Sequence, residues 1–157
     1  MSEKIVNTAL TIAGSDSGGG AGIQADLKTF SALGVFCKTI ITSITSQNSF
    51  GVRSTYDLPS DVVEQQLRAI SEDKKCQAVK TGMLGNEETV CLVAKMIKKS
   101  RLKNVVVDPV VLASSGKRLL TRGGVEALKK HLLPLASLVT PNIKEAELLS
   151  GVKIKSQ

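Results

Sequence analysis

Short apolar runs alternate with amphipathic stretches along the whole chain. Residues 8–13 form a continuous apolar run, as expected of a strand covered on both faces. A glycine-rich loop follows, then Ile23, Leu27, Phe30 and Leu33 recur at helical spacing until Gly34, which predicts a first helix with those side chains inward. Residues 36–46 are rich in β-branched side chains and predict a second strand. Pro59-Ser60-Asp61 opens a second helix that carries Val63, Leu67 and Ile70 inward, and residues 78–80 make a brief third strand. Val90, Val93 and Ile97 mark a third helix, and residues 104–108 a fourth strand stopped by Pro109. A fourth helix follows Thr121 with Val125, Leu128 and Leu132 inward. Residues 137–140 are a fifth strand, and a last helix runs from near Asn142 to Leu149. Strand and helix thus alternate five times, which predicts an α/β fold: a mainly parallel sheet with helices on both faces, in one domain over residues 1–157.

Composition narrows the function classes. With 42% apolar residues the chain is not disordered, and no apolar stretch approaches the ~20 residues of a membrane span. The polar-interrupted N-terminus is unlike a secretory signal, so a cytoplasmic protein is expected. Cys37, Cys76 and Cys91 stand singly, which argues against a disulfide framework or zinc site, and His131 is the only imidazole. The net charge of +7 is uneven: residues 1–94 carry 8 basic and 10 acidic side chains, residues 95–157 carry 13 and 4. Lys98-Lys99 and Lys129-Lys130 fall on expected helix exteriors, and aromatics that would stack on bases are lacking, so no nucleic-acid partner is expected.

Open α/β sheets bind ligands beyond the carboxyl ends of their strands. Those ends carry, in turn, Asp16 with Gly18-Gly19-Gly20-Ala21-Gly22, Gln47-Asn48, Thr81-Gly82-Met83, Asp108, and Asn142 with Glu145. The glycine run either lets backbone approach a ligand and offers amide N–H groups at a helix start, or is simply a flexible strand-to-helix turn; its spacing matches neither a Walker loop nor a dinucleotide fingerprint. Asp26 falls between Phe30 and Leu33 on the inward side of the first helix, where a carboxylate needs a partner or a ligand such as a ring nitrogen or amine; its alternative is a first-turn acid favoured by the helix dipole. Gln47 can grip a heterocycle edge or bond the loop backbone, and Met83 is adaptable apolar surface or core. Asp108 with Asn142-x-x-Glu145 suits magnesium, unless the latter pair simply caps its helix.

Taken together, residues 9–29, 42–48, 80–83, 107–110 and 140–147 resemble the hydroxymethylpyrimidine kinase / phosphomethylpyrimidine kinase family of thiamin biosynthesis, which has the ribokinase fold. The resemblance implies ATP- and magnesium-dependent phosphorylation of 4-amino-5-hydroxymethyl-2-methylpyrimidine and then of its monophosphate. It implies that Gln47 contacts the pyrimidine, that Ala21, Met83 and Val110 line its pocket, and that Asp26 lies on the substrate side. Asn142 and Glu145 then match a motif acting through magnesium and its waters, with Asp108 beside the phosphates. Members of the family are longer and are commonly dimers. Their second half holds most of the nucleotide site and a glycine-rich, cysteine-containing anion-hole loop. No sequence like that loop occurs here, so the chain reads as an N-terminal portion, catalytically weak or inactive alone, with no catalytic residue of its own. A pyridoxal or pyridoxine kinase of the same superfamily and a non-catalytic pyrimidine-binding protein are the competing readings.

Overall fold

The computed structural model describes residues 6–73, 76–113 and 115–155. Six strands form one sheet in the order β3-β2-β1-β4-β5-β6: β1 is Thr8–Asp16, β2 Phe36–Asn48, β3 Gly51–Asp57, β4 Ala78–Thr81, β5 Val105–Val107 and β6 Leu138–Val139. All pairings are parallel except β2 with β3. The parallel strands are the five expected from the apolar runs. The sixth, β3, is an edge strand whose exposed Arg53, Ser54, Thr55 and Tyr56 leave no apolar run to find. It also takes Gln47 and Asn48 into β2, where they pair with Val52 and Gly51, instead of leaving them in a loop beyond it.

Among the described residues four helices connect strands, α1 Gly22–Ala32, α2 Ser60–Ser71, α3 Glu87–Lys99 and α4 Arg122–Ala127, and a fifth, α5 Ile143–Ser150, follows β6. The fourth is shorter than its periodicity predicts. After α4 the backbone widens into a π turn over Leu128–Leu132 and tightens over Leu133–Leu135, where Pro134 cannot supply an N–H; Val125, Leu128 and Leu132 still point into the core. Alternate side chains of the strands divide the molecule. Leu10, Ile12, Ile40, Val79, Val105 and Val107 pack with Val63 and Leu67 of α2, Val90, Val93 and Ile97 of α3, and the α4 residues in one core. On the opposite face the register sets Thr39, Thr11, Lys80 and Val106 side by side across β2, β1, β4 and β5, and α1 lies over that row.

The expected inward stripe of α1 is only partly inward. No residue of this helix is buried; Leu27 is 44% exposed and Leu33 72%. Helical spacing records which side chains share a face, and a single helix over a polar row leaves much of that face uncovered. The paired lysines Lys98, Lys99, Lys129 and Lys130 are exposed, as their helix positions require. All three cysteines are free and half-buried. Among the described residues no helix is long and apolar enough to cross a membrane.

Candidate functional site

β1 and β4 are neighbours, and the chain runs on from β1 to β2 on one side and from β4 to β5 on the other, so a crevice opens at the carboxyl ends of β1 and β4. A cavity of about 330 Å³ occupies it. Gly14, Ser15 and Asp16 bring β1 to its wall, and Ala21, Gly22, Ala25 and Asp26 bring the start of α1. Thr45, Gln47 and Val52 come from the β2–β3 hairpin, and Lys80, Gly82 and Met83 from the end of β4. Asp108, Val110, Leu112, Ala113 and Leu119 complete the wall after β5. Ala21, Asp26, Gln47, Met83, Asp108 and Val110, from four separate strand-end regions of the sequence, therefore meet in one place.

The glycine loop is built differently from its expected role. Asp16 is buried, and its carboxylate accepts the N–H groups of Gly18 at 2.8 Å, Gly20 at 3.0 Å and Ala21 at 2.9 Å. The amides expected to face a ligand are thus already satisfied by an internal anion. Ser17 ties the loop to β2, donating its hydroxyl to the Gln47 carbonyl at 2.8 Å and accepting the Gln47 N–H at 2.9 Å. Gln24 clamps the end of β1 by accepting the Asp16 N–H and donating to Ser15 Oγ at 2.7 Å. Gly22 closes the turn with φ +58°, and a Cβ there would sit 2.2 Å from the Gly14 carbonyl oxygen. Only glycine lets the first turn of α1 press this closely on β1.

Asp26 resolves between its two expected roles in an unforeseen way. Thr11 Oγ1 donates to its Oδ2 at 2.6 Å, and Lys80 Nζ lies 3.1 Å from each of its oxygens. The same ammonium is 3.5 Å from Asp108 Oδ2. Burial pushes the Asp108 carboxyl above the ordinary aspartate range, opposed by the attraction of Lys80. Lys80 and Thr11 escaped the sequence reading; the available signal was a lysine inside an otherwise apolar, doubly covered strand. Gln47 reaches the cavity with Oε1 accepting from Thr45 Oγ1 at 3.3 Å, and Met83, 7% exposed, supplies apolar wall opposite Gly14.

Asn142 and Glu145 do not line the cavity. They form a reciprocal helix cap: Asn142 Oδ1 accepts the Glu145 N–H at 2.9 Å, and Glu145 Oε2 accepts the Asn142 N–H at 3.0 Å. The other oxygen, Oε1, accepts the Val111 N–H at 3.3 Å, so buried Glu145 anchors the turn that carries Asp108 and Val110. Among the described residues no three His, Cys, Asp or Glu side chains gather as metal ligands. The expected magnesium set therefore divides: Asp108 belongs to the Lys80 cluster, Asn142 and Glu145 to the cap. These residues do not fit a directly bound ion.

The phosphomethylpyrimidine kinase family model matches residues 16–157. A hydroxymethylpyrimidine/phosphomethylpyrimidine kinase of Haemophilus influenzae is 49% identical over 149 residues, which are 95% of this chain and 55% of that protein. Among solved structures, a phosphomethylpyrimidine kinase from Clostridium difficile 630 superposes with a TM-score of 0.89 at 48% identity, over 96% of this chain and 65% of that one. The pyridoxal kinase of Staphylococcus aureus in complex with AMP-PCP and pyridoxal superposes with a TM-score of 0.84 at 39% identity, over 97% of this chain and 54% of that one. The chain spans about half the length of the kinase it matches in Haemophilus influenzae. Its sequence, its ribokinase-like sheet and its relatives agree, and the chain belongs to the phosphomethylpyrimidine kinase family.

Proposed function

We propose that this chain carries the substrate-binding part of a kinase that phosphorylates 4-amino-5-hydroxymethyl-2-methylpyrimidine, and then its monophosphate, at the expense of ATP. The observation that carries this reading is the convergence of Ala21, Asp26, Gln47, Met83, Asp108 and Val110 on one cavity at the sheet's switch point. Met83, Val110 and Ala21 offer apolar surface to the faces of a flat heterocycle, and the Gln47 amide offers a donor and an acceptor to its edge. In the first reaction the alcohol oxygen bonds to the γ-phosphorus, the bond to the ADP oxygen breaks, and the alcohol proton passes to water; in the second the acceptor is a phosphate oxygen of the monophosphate, and the bond to the ADP oxygen breaks in the same way. The relatives' kinase names and the AMP-PCP complex of the Staphylococcus aureus protein support ATP as donor. Magnesium is proposed for the whole protein as a companion of the nucleotide's phosphates, and no step is assigned to it through Asp108, Asn142 or Glu145. A cytoplasmic homodimer is proposed likewise; exposed Ile44, Phe50 and Tyr56 on the β2–β3 hairpin support a contact there.

The competing substrate is pyridoxal, favoured by the 39% identity to the Staphylococcus aureus enzyme. Titration calorimetry of the chain with each alcohol, and phosphate transfer from ATP by the complete protein, separate the two. The pyrimidine should bind at least about tenfold more tightly, a difference of about 1.4 kcal/mol. A preference for pyridoxal in both assays would replace this reading with the other.

A further inference from the structure

A lysine in a four-residue strand flanked by β1 and β5 has to find an anion or leave its charge poorly solvated. Lys80 finds two. Its side chain is 21% exposed, with Asp26 at 16% and Asp108 at 34%, so the three charges sit together largely out of water on the cavity wall. We infer that Lys80 is the positioning residue of this wall: its ammonium, spanning Asp26 and Asp108, fixes the direction in which both carboxylates meet a bound ligand.

The contacts are unequal, and the inequality has consequences. Asp26 receives Lys80 on both oxygens at 3.1 Å and Thr11 on one at 2.6 Å, which leaves it neutralised and held in a single orientation. Asp108 stands at 3.5 Å, outside good hydrogen-bond range, so it is attracted without being saturated. Two carboxylates and one ammonium leave one net negative charge, concentrated at Asp108. Such a wall suits an uncharged heterocyclic ring that brings an N–H or O–H donor. Gly82 belongs to the same device, because a Cβ there would lie 3.1 Å from Lys80 Nζ and 3.0 Å from the Ala13 Cβ, in the path the ammonium takes.

This inference deepens the proposed function and rests on it for the identity of the ligand, so its test has one arm with ligand and one without. Without ligand, the side-chain carboxyl carbons of Asp26 and Asp108 are followed by carbon-13 NMR, assigned with Asp26→Asn and Asp108→Asn. Lys80→Met should shift both resonances. Asp26→Asn should shift that of Asp108, as the released ammonium turns to it, and this variant carries the test should Lys80→Met not fold. With ligand, calorimetry compares the pyrimidine alcohol with the same molecule lacking its 4-amino group. Lys80→Met should weaken the amino compound by about tenfold and remove the preference between the two, whereas a merely structural loss weakens both alike; Lys80→Arg should recover most of the affinity. Unmoved carboxyl resonances, or a preference that survives in Lys80→Met, would overturn the assignment. Absence of pyrimidine binding by the unaltered chain would instead count against the proposed function, with the resonances still deciding the role of Lys80.

Discussion

The two faces of the sheet are made from the same strands and do opposite work. Toward α2, α3 and α4 the strands present Leu10, Ile12, Ile40, Val79, Val105 and Val107, and α3 alone buries Thr89, Val90, Val93, Ala94 and Ile97 against them. Toward α1 the next residues along present Thr11, Thr39, Lys80 and Val106, and α1 buries none of its side chains. The period-two alternation of a strand makes this division possible, since every second position can be polar without interrupting the apolar side. Stability is thereby concentrated on one face. The other is free to hold a lysine and two aspartates beside a cavity, which a tightly packed apolar layer would exclude.

The strongest way to break this comparison is to remove equal bulk from each face. Ile12→Ala, at a fully buried position, should cost about 2–5 kcal/mol in chemical denaturation. Leu27→Ala, at a position 44% exposed, should cost less than about 1 kcal/mol, since little buried surface is lost. Equal costs would mean that α1 packs as firmly as its counterparts. Next comes Gly22→Ala, which demands a left-handed backbone from alanine and drives its Cβ into the Gly14 carbonyl. It should lose about 1–3 kcal/mol by the same measurement, together with affinity for the pyrimidine, because the end of β1 must give way.

The smallest effect concerns charge. Burial holds the Asp108 carboxyl above its ordinary range, so the folded chain keeps this proton more tightly than the unfolded one. The stability this group contributes is therefore present below the ordinary aspartate value and is lost as pH rises through the raised one. Asp108→Asn removes that dependence while Lys80 keeps Asp26 as partner. In thermal unfolding the variant should gain on the unaltered protein over the pH interval that begins at the ordinary aspartate range and runs upward to the raised one. A variant that instead loses ground over that interval would show that Lys80 outweighs desolvation at this carboxylate.

Much of this architecture was legible in the amino-acid order. Strands covered on both faces leave continuous apolar runs, so β1, β2, β4, β5 and β6 could be read, as could helices with stripes facing the core. The edge strand β3 could not, because Arg53, Ser54 and Thr55 face solvent and only pairing with β2 makes them a strand. In the site, Ala21, Gln47, Met83 and Asp108 were legible because the carboxyl ends of parallel strands must share one rim, Asp26 because helical spacing turns it inward, and Val110 only through the family resemblance. Lys80 was not, since its neighbours Ala78, Val79 and Thr81 disguise it as core and only the register brings it beneath Asp26. Asn142 and Glu145 carry a capping signature and a ligand signature in the same four letters, and geometry favours the cap.

The glycine loop comes with its own tethered counter-ion. A phosphate arriving at these amides would have to evict the Asp16 carboxylate, a rival that never dissociates because the backbone keeps it at the spot. This end of the crevice is consequently a poor landing place for anions and a stiff, ready-shaped rim for an uncharged guest, whose arrival need not spend entropy on organising it.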